Sequence, residues 1–509
     1  MTSFYYDHFI PYVQNKVKWD DPLVDTIARV GFSAFTDNPL NLFLKGPSSI
    51  GKSYIVKHTL AAFPKKCKWN LGGISPKALI HDPRAVLVDE EGNILEPPTV
   101  SKKDGPEAWE EYKSKLKRSR YLIDLKNVIL TFLESPSEDT FNMLRPILSH
   151  DEVEIEYRIA PRGQSETHTK NIVVKNWPAM ICATTDKDYL EDLATRSITV
   201  TPNESIEKFA EAHKVTAKKY SMPSLPQEDL EFKAIRDWIA QKIGSGVNVV
   251  SPQAEMVAVW FPHNLARDMR DFDKYLSFVI GNCIIHEEDR PKIRINKLWE
   301  FTITTLDDFL AIDRFWSQII KTTRMGISAG AIELYEKVLI PLSEEGINLN
   351  TITIRERYSE VFKKPIAPSN LSGKLKELLN LNLIEEATDE ADRRRKRYIL
   401  IDSDKAENVS NYFSNRLVGL FDQDILNMWL DSLKNYFTQK GLCKESFNYE
   451  FIYKGDVIKT EFLLKYLNSF NLVQKTNSSL EIKSKNEMKH SEGNLETLQI
   501  KTFREAETG

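Results

Sequence analysis

The segment 46–53, Gly-Pro-Ser-Ser-Ile-Gly-Lys-Ser, constrains the fold of this chain more than any other part of its sequence. It fits the pattern Gly-x-x-x-x-Gly-Lys-Ser, whose glycines let backbone N–H groups turn inward toward phosphate oxygens. The apolar run 40–45 before it predicts a buried strand, and residues 54–63 after it predict a helix. A strand, a glycine-rich loop and a helix N-terminus together predict an α/β domain that binds phosphate groups.

The same loop predicts ATP and Mg²⁺ as ligands. Lys52 is expected to reach the β- and γ-phosphates, and the Ser53 hydroxyl to bind Mg²⁺. The expected nucleotide-binding residues of the loop are Gly46, Pro47, Ser48, Ser49, Ile50, Gly51, Lys52, Ser53 and Tyr54.

A second apolar, β-prone run at 127–133 ends in Glu134, a carboxylate able to polarise an attacking water. Leu133 stands where such strands usually carry an Asp that holds Mg²⁺. This leaves Mg²⁺ to Ser53, the phosphates and Glu134, and it predicts weak hydrolysis. The alternative is a core strand that happens to end in a surface glutamate.

A third apolar run at 178–183 ends in Thr184 and Thr185. Either threonine would orient the attacking water, and Thr185 is the candidate that we assign. In this order, the three motifs resemble those of AAA+ ATPases. The resemblance extends to the clade with a hairpin before the sensor strand, which includes the MCM replicative helicases and, more distantly, viral superfamily 3 helicases. It covers residues 40–402 and rests on order and spacing more than on identity.

Residues 152–159 and 167–174 alternate as two strands do, and 161–164 between them has turn chemistry. The resemblance implies that this hairpin enters a central channel, where Arg162 near the tip and Lys170 beyond it touch DNA. The alternative is an ordinary surface hairpin. A strand–turn–strand pattern at 85–95, in the long segment before Glu134, looks like the insert of MCM-type proteins.

Three arginines have roles that the resemblance implies. Arg196 would complete the ATP site of a neighbouring subunit, which predicts a ring, most simply a hexamer. Arg267 or Arg270 would act as the sensor arginine of the lid over the γ-phosphate. A surface salt bridge for Arg196 and a solvated helix face for the other two are the alternatives.

Residues 328–402 show three helical patterns followed by a charged β-hairpin, which is typical of a winged helix. Its third helix carries Lys374 and Lys376 as candidate DNA contacts. The wing carries further candidates that would track phosphates, namely Arg393, Arg394, Arg395 and Arg397. The alternative is a winged helix that contacts protein.

The amino-acid composition limits these interpretations. Lys and Arg number 69 and Asp and Glu 73, so the net charge of -4 restricts DNA contact to local patches. The four cysteines form no Cys-x-x-Cys pair, and neither a signal peptide nor a run of 18 apolar residues is present. We therefore expect a cytoplasmic protein that does not bind membranes.

The expected fold is an α/β P-loop NTPase core of the AAA+ class with a C-terminal winged helix and a further, mainly helical C-terminal region. The predicted segments are a helical extension at 1–39, the ATPase core with its lid at 40–327, the winged helix at 328–402, a mostly helical module at 403–483 and a disordered tail at 484–509. The 403–483 module is a candidate docking site for a protein partner.

These features predict an ATP-dependent DNA translocase or helicase. Only 39 residues precede the predicted first strand of the core, so we expect the N-terminal domain of MCM proteins to be absent, which favours a virus, a mobile element or a defence system as the source. Two alternatives stay open: an ATP-switched initiator or loader that binds DNA without unwinding it, and a regulatory ATPase that remodels protein.

Overall fold

The computed structural model describes residues 3–71, 85–101, 103–159, 170–185, 196–221, 229–244, 246–261, 268–325, 328–380, 383–388, 396–400, 422–443 and 447–467. The strands are β1 Asn41–Lys45, β2 Lys68–Leu71, β3 Val86–Val88, β4 Arg120–Asp124, β5 Ile129–Phe132, β6 Glu154–Ile159, β7 Lys170–Lys175, β8 Ala179–Thr184, β9 Ile198–Val200, β10 Val249–Val250, β11 Lys292–Ile295, β12 Trp299–Ile303, β13 Leu349–Asn350, β14 Ile384–Thr388, β15 Lys396–Leu400, β16 Tyr449–Tyr453 and β17 Asp456–Ile458.

The α-helices are α1 Ile10–Lys16, α2 Asp21–Ser33, α3 Lys52–Thr59, α4 Pro106–Arg118, α5 Glu138–Leu148, α6 Ile206–Ser221, α7 Leu230–Gly244, α8 Ala254–Trp260, α9 Asp268–Ile285, α10 Leu306–Met325, α11 Ala329–Leu334, α12 Ile340–Glu344, α13 Thr351–Phe362, α14 Pro368–Asn380, α15 Gln423–Gln439 and α16 Thr460–Leu467. Short π- or 3₁₀-helical turns lie at Tyr5–Phe9, Lys65–Cys67, Glu287–Asp289 and Tyr335–Leu339. No described helix is both long and apolar enough to cross a bilayer.

The main sheet has the order β2-β5-β8-β1-β9, and all its pairs are parallel. Every residue of β5 and β8 is buried, as are the first four of β1, because a parallel sheet is covered on both faces. This explains why these strands are continuous apolar runs in the sequence. The predicted mixed α/β architecture with a parallel sheet is confirmed.

The N-terminal helices α1 and α2 contribute to the same hydrophobic core as the main sheet. Arg29 of α2 is 1% exposed; it donates to Asp25 at 3.0 Å and to Asn282 of α9 at 2.5 Å. Asn282 in turn donates to Asp308 of α10 at 2.6 Å. A buried guanidinium that is paired in this way fixes the N-terminal segment against the helices that follow the sheet.

A second sheet has the order β3-β4-β7-β6. The predicted hairpin is present as β6 and β7, which pair antiparallel from Glu154 opposite Lys175 to Ile159 opposite Lys170. The predicted strand–turn–strand is β3 followed by a bridge between Val88 and Ile94. Because β4 pairs with both β3 and β7, the hairpin and the insert share one sheet.

Residues 328–380, 383–388 and 396–400 form what we call the helix–hairpin domain. Its helices α11 to α14 pack around one buried apolar cluster, and β14 and β15 form an antiparallel hairpin. The first helical stretch runs from α11 through the π-helical turn at Tyr335–Leu339 into α12, and Pro341 lies in the first turn of α12. The helix–hairpin pattern predicted for 328–402 is therefore present in the described residues.

The described part of the predicted 403–483 module is mostly helical, through α15 and α16, but it is not separate from the preceding residues. Strands β16 and β17 continue a sheet of order β10-β12-β11-β16-β17, in which Phe451 lies opposite Ile293. Aromatic residues at alternate positions of Tyr449–Tyr453 favour a strand, and Phe451 and Ile452 are buried in it. The helix α15 packs on this sheet through Leu426 and Leu430, so the C-terminal residues share one core with 292–303.

Candidate functional site

The phosphate loop connects the end of β1 to the start of α3. Ser49 and Gly51 have positive φ angles of 67° and 94°, and Gly51 is the residue before the first helical turn. Such a backbone favours glycine and turns N–H groups toward one side of the loop. Lys52 donates to the carbonyls of Gly46 at 2.8 Å and Pro47 at 2.7 Å, so its ammonium lies folded onto the loop.

Three motifs meet where the parallel strands of the main sheet end, which we call the carboxyl edge. The Ser53 hydroxyl donates to the Leu133 carbonyl, just beyond β5, at 3.2 Å. Strand β8 lies between β1 and β5, and the Ser135 hydroxyl donates to Thr184 at its end at 2.7 Å. The loop, the segment after β5 and the tip of β8 therefore form one site.

At this edge, the carboxylate and one threonine are open to solvent. Glu134 is exposed, and so is Thr185, whereas Thr184 is 4% exposed and donates to the Thr185 carbonyl at 2.8 Å. Thr184 therefore contacts the segment after β5, whereas the side chain of Thr185 is exposed to solvent. Oxygen ligands for a hard cation are present in Ser53 and Glu134, and no cluster of three or more acidic, His or Cys ligands occurs in the described ranges.

Arg196 lies at the opposite end of the strands, which we call the amino edge. It precedes β9, which runs parallel to β1 with Ile198 opposite Leu42. It lines a cleft with residues 38–41 before and at the start of β1. The five residues of β1 span roughly 13 Å, so Arg196 is at least that far from its own phosphate loop.

Arg270 lies in the same cleft at the amino edge, near the start of α9. The role of Arg270 over a γ-phosphate stays a prediction, and the structure places Arg270 away from the phosphate loop of its own chain. The reason is the position of α9, whose Lys274 donates to the Ser197 carbonyl beside β9 rather than approaching α3. Arg267, the other candidate for this role, lies outside the described residues.

Asp151 holds Arg196 in this cleft. The guanidinium donates to both Asp151 oxygens, at 3.0 and 3.1 Å, and to the Ser149 carbonyl at 3.3 Å. Hydrogen bonds from Ser149 and Arg196 hold the pKa of Asp151 below its usual value. Within one subunit, Arg196 therefore forms a salt bridge, as the alternative interpretation of this residue expects.

His150 packs beside this pair. Its ring stacks on Trp177 with centroids 4.7 Å apart, and Nδ1 lies 2.9 Å from Asn38. Burial lowers the pKa of His150 from its usual 6.5 to about 4, so the ring is neutral at physiological pH. A neutral ring adds no charge to the cleft that holds Arg196.

The candidate DNA contacts are distributed unevenly. Arg162, Arg393, Arg394 and Arg395 lie outside the described residues. Lys170 is described only as the first residue of β7 and Arg397 as part of β15, opposite Ala387. No DNA contact of the hairpin tip or the wing therefore follows from the described geometry.

The two lysines of α14 differ sharply. Lys374 is 8% exposed, and its ammonium lies 3.9 Å from Glu204, beyond β9 of the main sheet. This burial opposes the expectation that Lys374 contacts DNA, because its helix presents it to the segment after β9. Lys376 is exposed and lines a groove of about 470 Å³ with Arg355 and Lys396.

Three charged residues near the two edges belong to no recognisable sequence motif. Lys208 of α6 is buried and donates to the Ile50 carbonyl of the phosphate loop at 3.2 Å. Its partner Asp20 precedes α2, and Asp151 precedes the hairpin. Each is a single charged residue far in sequence from its partner, so only the folded chain brings them to the site.

No protein-family model and no curated protein matches the sequence. Among solved structures, the chain is similar to the Orc1 protein of Aeropyrum pernix in complex with DNA, at 14% identity over 84% of this chain and 96% of that one, with a TM-score of 0.22. It is also similar to Cch of SCCmec type IV, described as an active helicase, at 12% identity over 78% of this chain and 70% of that one, with a TM-score of 0.27. TM-scores this low do not define a shared fold. The interpretation of the chain as a phosphate-binding α/β domain therefore rests on its strand order and on the geometry of its phosphate loop.

Proposed function

We propose that this protein is an ATP-dependent DNA translocase or helicase of the AAA+ class that acts as a ring of subunits. The observation that carries the proposal is the carboxyl edge, where the phosphate loop meets the ends of β5 and β8. The contacts of Ser53 with Leu133 and of Ser135 with Thr184 join these elements within 3.2 Å. That arrangement supports phosphoryl transfer to water, because it brings together groups that can bind phosphate, accept a proton and orient the attacking water.

In the proposed reaction, Lys52 leaves its loop carbonyls and binds the β- and γ-phosphate oxygens of ATP. The exposed Glu134 carboxylate accepts a proton from the attacking water, an effect typically worth about 10²–10⁴ in rate. Thr185, with its exposed hydroxyl, orients that water, and Thr184 fixes the strand end through Ser135. The loop N–H groups and the N-terminus of α3 stabilise the phosphate charge.

The residues at this edge fit Mg²⁺, which prefers oxygen ligands and keeps several waters. Ser53 would bind it directly and Glu134 through a water, since Leu133 offers only its backbone carbonyl. When bound, Mg²⁺ neutralises charge on the β- and γ-phosphate oxygens.

The separation of the two edges supports the proposed ring. Arg196 faces away from its own phosphate loop, so we propose that it acts on the ATP of a neighbouring subunit in a ring, most simply a hexamer. Arg270 shares the cleft and would approach the same phosphate. An arginine supplied in this way is worth about 10³–10⁵ in rate for comparable enzymes.

DNA is the proposed partner of the hairpin and of the helix–hairpin domain, which we interpret as a winged helix. Arg162 and Lys170 would contact one strand in a central channel, and Lys376 would contact backbone phosphates. From the wing, the proposed phosphate contacts are Arg393, Arg394, Arg395 and Arg397.

One observation favours a second function, an ATP-switched initiator or loader that binds DNA without unwinding it. Leu133 occupies the position of a metal-binding Asp, which leaves Glu134 as the one carboxylate of the strand end. A site with one carboxylate suits slow hydrolysis, in which the ATP-bound form persists as a binding state.

ATP hydrolysis with and without single-stranded DNA, together with displacement of a labelled strand from a forked duplex, separates the two functions. The proposed motor predicts hydrolysis stimulated severalfold or more by DNA and strand displacement that requires ATP. DNA binding strengthened by ATP without displacement would favour the initiator. Hydrolysis that DNA leaves unchanged, with no displacement, would overturn the motor.

A further inference from the structure

Lys208 is a buried lysine with a contact to the phosphate loop. It is 7% exposed, at the start of α6, and its ammonium lies 2.6 Å from an Asp20 carboxylate oxygen. It also donates to the carbonyls of Asn203 at 3.0 Å and Ile50 at 3.2 Å. A buried ammonium is stabilised by an ion pair and by hydrogen bonds, and these three contacts supply both.

The partners of Lys208 are themselves held in place. Asp20 is 2% exposed and accepts from the Asn203 backbone N–H at 2.8 Å. The Asn203 side-chain amide donates to the Trp19 carbonyl at 3.1 Å. The segment before α2 and the segment after β9 therefore form a rigid frame around the ammonium.

The contact with Ile50 determines where the next N–H points. In a trans peptide the C=O and N–H groups point in opposite directions. Since the Ile50 carbonyl faces Lys208, the N–H of Gly51 points away from Lys208, toward the other side of the loop. Gly51, at φ 94°, has no side chain to fix this peptide, so an outside hydrogen bond must hold its orientation.

We propose that Lys208 is a positioning residue of the nucleotide site, which orients the Ile50–Gly51 peptide so that the Gly51 N–H is preset to bind a phosphate oxygen. This inference rests on the proposed function, because it assigns a role within the same ATP site. It predicts that Lys208 affects the phosphates of the nucleotide and leaves recognition of the nucleoside unchanged. Lys208 itself does not touch the nucleotide.

A matched control is available in Lys242 of α7. It is 2% exposed and its ammonium lies 2.9 Å from Glu288, so it is also a buried, paired lysine. That pair joins α7 to the turn Glu287–Asp289. Replacing either lysine with methionine removes a buried charge, but only Lys208→Met removes the hydrogen bond to the Ile50 carbonyl.

The experiment measures the affinity of the full-length chain for fluorescent N-methylanthraniloyl derivatives of ATP and of adenosine, together with the melting temperature. Lys208→Met should weaken ATP binding about tenfold, the size expected for one hydrogen bond to a charged group, and leave adenosine binding unchanged. Lys242→Met should lower the melting temperature without this selective loss. Lys208→Arg, which keeps a donor, should recover part of the ATP affinity.

Because Lys208→Met leaves Asp20 buried without its cation, the double variant Asp20→Asn with Lys208→Met is measured as well. It removes both charges and should show the same selective loss of ATP affinity. Equal ATP affinity in the double variant and in Lys242→Met would overturn the positioning role while leaving the ATP site intact. A wild-type chain that binds no ATP would overturn the proposed function together with this inference.

Discussion

The two edges of the main sheet hold their charged side chains in opposite ways. At the carboxyl edge, Lys52 donates to two backbone carbonyls of its own loop, 2.7 and 2.8 Å away. At the amino edge, Arg196 donates to both oxygens of the Asp151 carboxylate. Lys52 thus contacts groups that it can exchange for phosphate oxygens, whereas Arg196 has a charged partner of its own.

This difference supports the proposal that one chain supplies two halves of a shared site. Parallel strands place all their ends at one edge, so the loop, Glu134 and Thr184 meet without long connections. Arg196 precedes β9 and is therefore at the start of a strand, not the end. A single subunit cannot bring these groups together, since β1 separates them by roughly 13 Å.

The largest predicted contrast is between Lys52→Ala and Arg196→Ala. Lys52→Ala should weaken ATP binding at least about tenfold and abolish hydrolysis, because it removes the cation of the loop. Arg196→Ala should lower kcat about 10³-fold and leave the affinity for ATP nearly unchanged. Titration with a fluorescent ATP analogue and steady-state hydrolysis measure the two effects.

Two exposed cations serve as controls for this contrast, Lys57 on α3 and Arg236 on α7. Their alanine variants should bind and hydrolyse ATP as the wild type does. A loss of ATP affinity in Arg196→Ala as large as that in Lys52→Ala would contradict the division between binding at the carboxyl edge and catalysis at the amino edge.

A smaller contrast concerns the two lysines of α14. Lys376→Ala should weaken binding to duplex DNA severalfold and reduce the slope of log Kd against log salt by about 0.9, the value for one phosphate contact. Lys374→Ala should leave that slope unchanged and lower the melting temperature, because it removes the partner of Glu204. Fluorescence anisotropy at several salt concentrations checks this, and equal slopes in both variants would contradict the assignment.

A further prediction concerns the acid sensitivity of the amino edge. The pKa of His150 lies near 4 in the folded chain and at 6.5 when unfolded, so the unfolded state binds a proton first as the pH falls. The free energy of unfolding should therefore decrease from pH 6.5 to about 4, by about 2–3 kcal/mol from this group, and should be unaffected by it below that range. Denaturant titrations across this range measure the decrease.

His150→Asn is the matched variant, since asparagine tolerates the positive φ of 58° at this position. It should show a shallower decrease over the same pH range. An identical pH dependence in wild type and variant would assign the acid sensitivity to other groups, such as the buried His286, whose pKa burial also lowers.

The local elements of this fold were predictable, and their assembly was less so. The phosphate loop, the apolar strands and the hairpin β6–β7 are encoded by residues close in sequence, so patterns of a few residues suffice. The pairing of β16 with β11 and the approach of Lys374 to Glu204 join residues more than 150 positions apart. Such contacts depend on how elements pack, which periodicity does not encode.

The same limit applies to the candidate site. Gly51, Lys52 and Ser53 were identified by their spacing, and Glu134 by the strand before it. The positions of Arg196 and Arg270 at the amino edge follow from the direction of β9 and the placement of α9. No local sequence pattern predicts either of these. Lys208 was missed because a lone lysine in a helix is ordinarily a solvated one.

The central claim, that Arg196 completes the ATP site of a neighbouring subunit, is tested most directly by mixing two inactive variants. Lys52→Ala subunits keep Arg196 but cannot bind ATP productively, and Arg196→Ala subunits bind ATP but lack the arginine. The account predicts that each preparation alone is nearly inactive and that mixtures hydrolyse ATP, with a maximum near equal proportions. Mixtures no more active than the sum of the two separate preparations would contradict it.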